Sequence, residues 1–338
     1  MEPARSQSVP MDAHALESLR GKSILVTGAG GSIGSQLCSM IATVADKLTL
    51  VSISESGLYK VQKLLRDAPC EVVGILCDYG DSIHMNHALE NVDIVIHAGA
   101  HKHVPICEAN PIAAIMNNVW GTQKLIRAAV AAGVKQFIQI STDKAVEPTS
   151  IMGATKRACE LMCLRRSYAP MIVSVVRFGN VVGSDGSVIP LWREQIKAGG
   201  PVTLTDRRCT RFFMTIEDAC RLILAVVYMR EGGLYVLDMG EAVRMEDVAT
   251  RLIQQINPGG DIEIVETGLR PGEKLVEELT YGGDTEPTKH PKVKKIIEPK
   301  GQQPSHQYIP DMVEHARRNR PAEAIEFLWR VVNEAFRQ

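Results

Sequence analysis

The sequence predicts an α/β protein with a Rossmann-type doubly wound parallel sheet and a smaller α/β substrate-binding lobe. Short runs of β-branched residues alternate with amphipathic helical stretches from residue 23 onward, which is typical of a parallel sheet. A glycine-rich turn follows the first of these runs and opens a helix. After residue 183 the pattern changes to clustered Pro and Gly, short strands and charged loops, which indicates a second lobe.

The predicted strands of the main sheet are mostly apolar, as expected where both faces of a sheet are covered. They are 23–27, 48–52, 71–76, 94–97, 136–140 and 173–178. The first two connections are predicted to be helices, over 35–45 and 58–66. Alternation of this kind gives the βαβ units from which a doubly wound sheet is built.

Three regions follow from this pattern. We expect residues 1–20 to form an N-terminal tail, disordered at its start and with a short lead-in helix over 13–20. Residues 21–182 are the predicted dinucleotide-binding Rossmann domain. Residues 183–338 are mainly a substrate-binding lobe and a C-terminal helical cap (309–336), with a strand near 233–238 that returns to the main sheet.

Composition narrows the class of partner. The 338 residues are 45% hydrophobic with a net charge of −1, which argues against nucleic acid or an anionic membrane surface as the main partner. No apolar run reaches the roughly 18 residues of a membrane span, and the first residues show no signal-peptide pattern. The eight cysteines and nine histidines show no metal-ligand spacing, so free thiols in a reducing cytoplasm and no metal site are expected.

The glycine-rich turn predicts a dinucleotide site. Gly28, Gly31 and Gly34 have the spacing G-x-x-G-x-x-G between a strand and a helix. Glycine permits the tight turn and lets the backbone N–H groups around Ser32 and Ile33, at the positive end of the helix, approach a pyrophosphate. A glycine-rich turn without a ligand is the alternative.

Residues at the ends of the next strands bear on the choice of cofactor. Ser52 occupies the position where an acid usually holds the adenosine ribose, and Glu55 follows. No arginine stands nearby to pair a ribose phosphate, so NAD is favoured over NADP. Asp78 suits a hydrogen bond to the adenine amino group, or alternatively a helix N-cap. Ala98, at the end of the fourth strand, is small enough for a cofactor to lie across it.

Ordered motifs along almost the whole chain carry a family resemblance. They are His97–Pro105, Asn118–Thr122, Ser141–Val146, Met152–Arg157, Arg177–Val181, Gly186–Leu191, Thr210–Thr215 and Arg270–Lys274. With these motifs the chain resembles the extended short-chain dehydrogenase/reductases. More narrowly, it resembles the polysaccharide-biosynthesis group of nucleotide-sugar 4,6-dehydratases that act on UDP-N-acetylglucosamine.

Met152 stands where the Tyr-x-x-x-Lys motif of such enzymes has its tyrosine, four residues before Lys156. A thioether has no exchangeable proton, so it cannot do the tyrosine's proton transfer. One branch of the resembled group carries methionine here, and this chain resembles the soluble catalytic part of its membrane-anchored members. It departs from that branch at Ser52, Gly99 and His101, where aspartate, alanine and tyrosine are usual, and in the loop 206–209.

The resemblance implies removal of a hydride from sugar carbon 4 to NAD, loss of water across carbons 5 and 6, and return of the hydride to carbon 6. For this chemistry Thr142 is expected to hydrogen-bond the oxygen on carbon 4. Lys144 is the expected base at carbon 5, with a pKa lowered by burial or nearby cations. Asp143 is the expected acid for the departing hydroxyl and, directly or through water, acceptor of the carbon 4 hydroxyl proton. Lys156 is expected to bind the nicotinamide ribose.

Asp143 and Lys144 are adjacent, and adjacent side chains of an extended strand point to opposite faces. A turn that begins at Thr142 must therefore break the alternation if both are to reach one sugar. A solvated turn pair is the alternative interpretation of these two residues.

Substrate binding is expected from a further set of residues, which are Lys102, Met152, Asn180, Arg211 and Arg270. The planar fork of arginine matches two oxygens of a diphosphate at once, although surface salt bridges are the alternative for both arginines. Two other functions stay open, a nucleotide-sugar 4- or 5-epimerase and a non-catalytic sensor of NAD or nucleotide sugar. From the resemblance we also expect a homo-oligomer.

Overall fold

A computed structural model describes residues 9–184, 186–281, 285–297 and 308–333. The strands are β1 (Ser23–Thr27), β2 (Lys47–Ser52), β3 (Glu71–Leu76), β4 (Ile94–His97), β5 (Gln136–Ile140), β6 (Ile172–Arg177), β7 (Asn180–Val182), β8 (Val202–Leu204), β9 (Thr210–Arg211), β10 (Phe213–Thr215), β11 (Gly233–Leu237), β12 (Val243–Arg244), β13 (Ile264–Glu266), β14 (Thr285–Pro287) and β15 (Val293–Ile296).

The α-helices are α1 (Ala13–Glu17), α2 (Ser32–Ile41), α3 (Glu55–Leu64), α4 (Ser82–Ala88), α5 (Val104–Ala109), α6 (Pro111–Ala114), α7 (Thr122–Ala131), α8 (Ile151–Cys163), α9 (Val188–Lys197), α10 (Ile216–Met229), α11 (Met245–Ile256), α12 (Tyr308–Arg317) and α13 (Pro321–Asn333). A π-helical segment, Ile115–Gly121, joins α6 to α7. Short 3₁₀ turns cover Asp143–Ala145 and Arg166–Tyr168.

One nine-stranded sheet organises the chain, in the order β14-β15-β11-β6-β5-β4-β1-β2-β3. From β3 to β11 every neighbouring pair is parallel, which confirms the predicted doubly wound sheet. The chain passes from β1 outward to β2 and β3 and then crosses to β4 on the other side. Ligands of such sheets bind at the carboxyl ends of the strands at this reversal, so β1 and β4 mark the place of the site.

Helices cover both faces of the sheet, and α8 is the most deeply placed of those described. Every residue of α8 is buried, because one side packs on the sheet and the other on α12, α13 and the π-helical segment. It begins at Ser150, whose Oγ accepts a hydrogen bond from the N–H of Gly153 at 3.0 Å, as an N-cap residue does. This cap fixes the start of the helix that carries Met152 and Lys156.

The chain beyond residue 183 divides between the small lobe and the main sheet. Strand β11 adds to β6 in parallel, as the sequence predicted for a returning strand. The antiparallel strands β15 and β14, which the sequence did not reveal, then form the sheet edge. The small lobe is built from α9, α11 and the β8–β13 pair around a core that includes Trp192, Leu204 and Leu252.

The two C-terminal helices, α12 and α13, pack on α8 and therefore cap the nucleotide-binding domain. Residues 334–336 of the predicted cap lie outside the described residues. Element bounds differ modestly from the sequence prediction: α2 begins at Ser32 and α3 at Glu55, three residues earlier than predicted in each case. Among the described residues, no helix combines the length and apolarity needed to cross a lipid bilayer.

Residues 9–20 of the predicted N-terminal tail are ordered, and α1 lies within the lead-in helix that was predicted over 13–20. Val9 is buried, and its N–H donates to Asp218 Oδ1 at 2.8 Å, which ties the segment to the start of α10. Leu19 is also buried, and α1 packs against α10. The burial of these two apolar side chains explains why the segment is ordered. The sequence did not predict it, because two apolar residues in so short a stretch give no periodic signal. Residues 1–8 lie outside the described residues.

Candidate active site

The loop between β1 and α2 forms a cradle that only glycine permits. A Cβ on Gly34 would lie 2.1 Å from the carbonyl oxygen of Gly28, and Gly28 itself has a φ of +65°. A Cβ on Gly28 would lie 2.7 Å from the backbone of Gly99 at the end of β4. The N–H of Gly31 donates to the Gly28 carbonyl at 2.9 Å, which closes the turn. The close approach leaves the start of α2 open to a pyrophosphate, so the residues present fit a dinucleotide.

The predicted cofactor residues lie together around this cradle, with one exception. One cleft is lined by Gly28, Gly31, Ser32, Ile33, Gly34, Ser52, Asp78, Ala98 and Lys156. Glu55 is not among the residues that line it. The prediction that Glu55 binds the cofactor is therefore not supported. Glu55 is the exposed first residue of α3 and follows the N-cap residue Ser54.

Ser52 and Asp78 each stabilise the turn that follows a strand, Ser52 after β2 and Asp78 after β3. The Oγ of Ser52 accepts from the N–H of Ser54 at 3.1 Å. One carboxylate oxygen of Asp78 accepts from the N–H of Gly80 at 2.6 Å. The alternative role of Asp78 as a helix N-cap is wrong, because α4 begins at Ser82 and its N-cap is Asp81.

The predicted turn at the end of β5 is present, and it places two catalytic candidates on one side. Thr142 is extended, and a 3₁₀ turn over Asp143–Ala145 follows it. The Thr142 hydroxyl donates to Asp143 Oδ1 at 2.8 Å, and Lys144 Nζ donates to the same oxygen at 2.9 Å. The turn therefore breaks the strand alternation, and the three side chains form one hydrogen-bonded group.

Within this group the exposure of the three side chains differs. Thr142 and Lys144 line the cleft, whereas Asp143 is fully buried and does not. The carboxylate of Asp143 therefore reaches the cleft through its two neighbours. Its second oxygen, Oδ2, has no hydrogen-bond partner among the described residues. Of the two routes that the sequence interpretation gave for the carbon 4 proton, direct contact of Asp143 with the sugar does not match this arrangement, and an indirect route does.

The pKa of Lys144 is shifted in the direction opposite to the one predicted from the sequence. Burial alone would lower the pKa of its ammonium, but the carboxylates of Asp143 and Glu277 outweigh burial and Arg211 and raise that pKa. Glu277 Oε1 lies 3.5 Å from Lys144 Nζ. The expected lowering of the pKa is therefore wrong in direction, because two acids rather than cations face this lysine.

Glu277 belongs to a segment that sequence reasoning missed. We call residues 272–281 the strap, because they run from the small lobe onto the 3₁₀ turn over Asp143–Ala145, which we call the catalytic turn. Lys274 Nζ donates to the Val146 carbonyl at 2.8 Å, and the Tyr281 hydroxyl donates to the Ala145 carbonyl at 3.0 Å. The only sequence signal was the family motif that ends at Lys274, just before the acids 277 and 278.

Lys156 contacts the end of β5, just before the catalytic turn. Its ammonium donates to the Ile140 carbonyl at 2.6 Å, and burial lowers its pKa. Met152 lies one helical turn earlier on α8, 3% exposed, and it lines the same cleft. The two side chains thus occupy the positions that a tyrosine–lysine pair would, but with a thioether in place of the phenol.

A buried ion network supports the turn from behind. Glu160, on α8, accepts hydrogen bonds from Arg177 at 2.6 and 2.5 Å, from Arg157 at 3.1 Å and from the Ser141 hydroxyl at 2.6 Å. The ring of Tyr281 lies over both guanidinium groups, with centroid distances of 4.9 and 5.0 Å. The network therefore joins α8, β6 and the strap to Ser141, the residue between the end of β5 and Thr142.

A second cleft opens toward the small lobe and continues the first. Lys102 and Asn180 line both clefts, so the two form one groove. Asn180 also binds the catalytic group, because its Oδ1 accepts from Lys144 Nζ at 3.3 Å. Arg270 is exposed and lines the second cleft, and its role as a diphosphate ligand stays a prediction.

Arg211 lines the second cleft as well, but its guanidinium is engaged by the protein. The terminal nitrogens donate to the carbonyls of Lys274 at 2.7 Å and Leu275 at 3.0 Å and to Glu273 Oε1 at 3.1 Å. Only 6% of the residue is exposed. The geometry therefore supports a role in holding the start of the strap, rather than the predicted free fork for a diphosphate.

Comparison with known proteins identifies the family. The family model described as "Polysaccharide biosynthesis protein" matches residues 24–298. The capsular polysaccharide biosynthesis protein CapD of Staphylococcus aureus is 42% identical over 279 residues, which are 80% of this chain and 47% of that protein. The chain thus spans about half the length of that relative.

Two shorter relatives differ in their stated reactions. A UDP-N-acetylglucosamine 4,6-dehydratase (inverting) of Campylobacter jejuni is 33% identical over 78% of this chain and 79% of its own length. A UDP-glucose 4-epimerase of Rickettsia prowazekii is also 33% identical, over the same shares.

Among solved structures, the dTDP-glucose 4,6-dehydratase DesIV of Streptomyces venezuelae, with NAD and TYD bound, superposes with a TM-score of 0.68. It is 25% identical, and the match covers 76% of this chain and 88% of that one. Together with the family match over most of the chain, the glycine cradle and the clefts over the strand ends lead to one conclusion. The chain belongs to the polysaccharide-biosynthesis family of extended short-chain dehydrogenase/reductases.

Proposed function

We propose that the protein is a nucleotide-sugar 4,6-dehydratase that converts UDP-N-acetylglucosamine to a UDP-4-keto-6-deoxy sugar, for surface polysaccharide or deoxyamino-sugar biosynthesis. The observation that carries the proposal is the hydrogen-bonded group of Thr142, Asp143 and Lys144. Thr142 and Lys144 line the cofactor cleft together with Lys156, and Asp143 lies buried behind them. This group offers both an acid and a base next to the expected nicotinamide position. The 33% identity to a UDP-N-acetylglucosamine 4,6-dehydratase supports the substrate.

The cofactor we propose is NAD. When bound, it supplies a hydride acceptor that returns the hydride at the end of the reaction. The cradle of Gly28 and Gly34 suits its pyrophosphate, and the Ser52 turn offers no cation to a ribose phosphate. Mass spectrometry of the cofactor released from the purified protein tests this choice, and NADP in place of NAD would contradict it.

Proton transfer at carbon 4 is assigned to Thr142 and Asp143. The Thr142 hydroxyl faces the cleft and donates to Asp143, so a proton taken from the sugar hydroxyl can pass through Thr142 to the buried carboxylate. The same path in reverse delivers that proton to the hydroxyl that leaves carbon 6. The proton thus ends in the water that is formed, and Asp143 returns to its starting state.

The base at carbon 5 is assigned to Lys144, whose side chain is 23% exposed and lines the cleft. Oxidation at carbon 4 acidifies the hydrogen at carbon 5, so a neutral amine can take it and later return it. Lys156 holds the cofactor end of the cleft, and Met152 presents an apolar surface to the sugar. Arg270, Lys102 and Asn180 are the proposed ligands of the diphosphate.

Incubation of the purified protein with UDP-N-acetylglucosamine tests the function through product mass and NMR. Loss of the mass of one water establishes the dehydratase. An unchanged mass with altered stereochemistry identifies an epimerase, which the equal identity to a UDP-glucose 4-epimerase makes the second candidate. An unaltered sugar refutes both for this substrate, and a panel of UDP-, dTDP- and GDP-sugars then identifies the substrate class.

A further inference from the structure

The strap places a carboxylate, that of Glu277, against Lys144, the proposed catalytic lysine. Glu277 lies 3.5 Å from Lys144 Nζ, while Lys274 and Tyr281 bind the next two carbonyls of the catalytic turn. Consecutive residues of the turn are therefore held by one segment. Contacts on both sides of Glu277 fix its position toward the lysine.

Glu277 is buried in a way that stability alone does not explain. Only 4% of the residue is exposed, and its second oxygen, Oε2, has no hydrogen-bond partner among the described residues. A buried, half-satisfied carboxylate is costly, so such groups are commonly retained for function. The neighbouring Glu278 is exposed and offers a matched comparison of the same residue type.

The surroundings of Lys144 pose a chemical problem that Glu277 solves. The ammonium has three N–H donors and no lone pair, so it cannot take a proton from carbon. Its neighbours are Asp143 Oδ1 at 2.9 Å, Asn180 Oδ1 at 3.3 Å and Glu277 Oε1 at 3.5 Å. Asn180 cannot accept a proton at useful acidity. In the proposed mechanism Asp143 already holds the proton from the carbon 4 hydroxyl, received through Thr142, when the base at carbon 5 is needed. Glu277 is the remaining acceptor in this group.

We propose that Glu277 is a positioning residue that accepts a proton from Lys144 and so frees the lysine amine to act as the base at carbon 5. The inference rests on the proposed function. An Nζ–H bond breaks and an Oε1–H bond forms, which leaves a neutral amine and a carboxylic acid. The amine takes the proton from carbon 5 and returns it after the hydroxyl has left. Glu277 then gives its proton back to Lys144, so the pair ends as it began.

The charges around Lys144 set the expected response to substitution. Asp143 and Glu277 raise the pKa of the ammonium, whereas burial and Arg211 lower it. In the native protein the proton moves within the pair, so exchange at carbon 5 is expected to vary little around neutral pH. In Glu277→Gln the proton must leave to solvent, so the rate should rise by about tenfold per pH unit until the lysine has titrated.

The first experiment measures solvent-deuterium incorporation at carbon 5 as a function of pH, with UDP-N-acetylglucosamine as substrate. Glu277→Gln should be slower by about tenfold or more at neutral pH and should recover toward alkaline pH. Glu277→Asp should retain part of the flat profile, and Glu278→Gln should match the native protein. A native-like profile in Glu277→Gln, or a fall by one factor at every pH, would overturn the proposal.

The second experiment needs no sugar and therefore separates this inference from the proposed function. Reductive methylation of Lys144 by formaldehyde and cyanoborohydride is followed by peptide mass spectrometry across a pH series. Loss of the Glu277 charge should move the labelling midpoint to lower pH, and Glu278→Gln should leave it in place. An unchanged midpoint overturns the inference even if the dehydratase is established. If Glu277→Gln does not fold, Glu277→Asp carries the same comparison with a smaller shift.

Discussion

Substitution of Glu160 by glutamine should destabilise the protein far more than loss of an ordinary ion pair. Both carboxylate oxygens are fully buried and accept hydrogen bonds from Arg157, Arg177 and Ser141. Glutamine keeps one acceptor oxygen but turns an amide NH₂ toward a guanidinium that also donates. Two buried positive charges then lose their counter-charge.

The magnitude follows from this geometry. Removal of one partner from a buried ion pair costs about 3–5 kcal/mol, and Glu160→Gln should fall in that range. The control is Glu326→Gln, which removes a surface pair with Arg330 whose side chains are 58% and 48% exposed. An exposed helix pair of this spacing contributes only about 0.3–0.5 kcal/mol. The free energies of unfolding are compared by urea titration followed by circular dichroism.

Glu160 should also make the free energy of unfolding decrease at acidic pH. Burial raises the pKa of its carboxyl, but Arg177, Arg157 and Ser141 together outweigh burial, so the folded pKa lies below the ordinary value of 4.5. A lowered folded pKa stabilises the protein fully above the unfolded pKa, and this stabilisation is lost as the pH falls through the folded pKa. Glu160→Gln should lack this part of the loss of stability at acidic pH. A cost below about 1 kcal/mol, or one no larger than that of Glu326→Gln, would refute the reasoning.

Three further substitutions test the site directly. Gly34→Ala places a Cβ 2.1 Å from the Gly28 carbonyl oxygen, so the purified variant should lose its bound dinucleotide, and full cofactor content by mass spectrometry would contradict the cradle. Lys144→Ala should reduce solvent-deuterium uptake at carbon 5 by about 10²–10⁴-fold, and persistent exchange would rule out this base. Arg270→Ala should raise KM for the UDP-sugar by roughly 10- to 100-fold with a smaller effect on kcat, as expected for loss of about 1.5–3 kcal/mol of charged hydrogen bonding. An equal fall in kcat would place Arg270 in the chemistry instead.

Features that depend on local sequence could be predicted. The positions of the main strands follow from apolar runs, and the cradle follows from glycines that nothing else can replace at Gly28 and Gly34. The turn after Thr142 was predictable for a chemical reason, since Asp143 and Lys144 could reach one ligand only if the strand ended there. These predictions need only backbone geometry within a few residues.

Features that depend on contacts distant in sequence could not be predicted. The sequence shows two adjacent acids at 277 and 278, and only the fold decides that the first is buried against Lys144. The direction of the lysine's pKa shift follows from that contact, so it was predicted wrongly. Arg211 was predicted to be open to a diphosphate. That prediction missed its contacts with two backbone carbonyls, because they lie more than sixty residues away in sequence.

The methionine at position 152 gives these long-range contacts their significance. A phenol there would take part in proton transfer from within the nucleotide-binding domain, next to Lys156. With a thioether there, the proposed proton transfers depend on Thr142, Asp143 and Lys144, and the proposed proton acceptor of the lysine, Glu277, lies on the strap. The strap in turn is fixed to the small lobe through Arg211. Under the proposed mechanism, the base lies on one lobe and its proton acceptor on a segment fixed to the other, so both lobes must be in place for the base to act. The proposal therefore gives the small lobe a part in catalysis as well as in sugar binding.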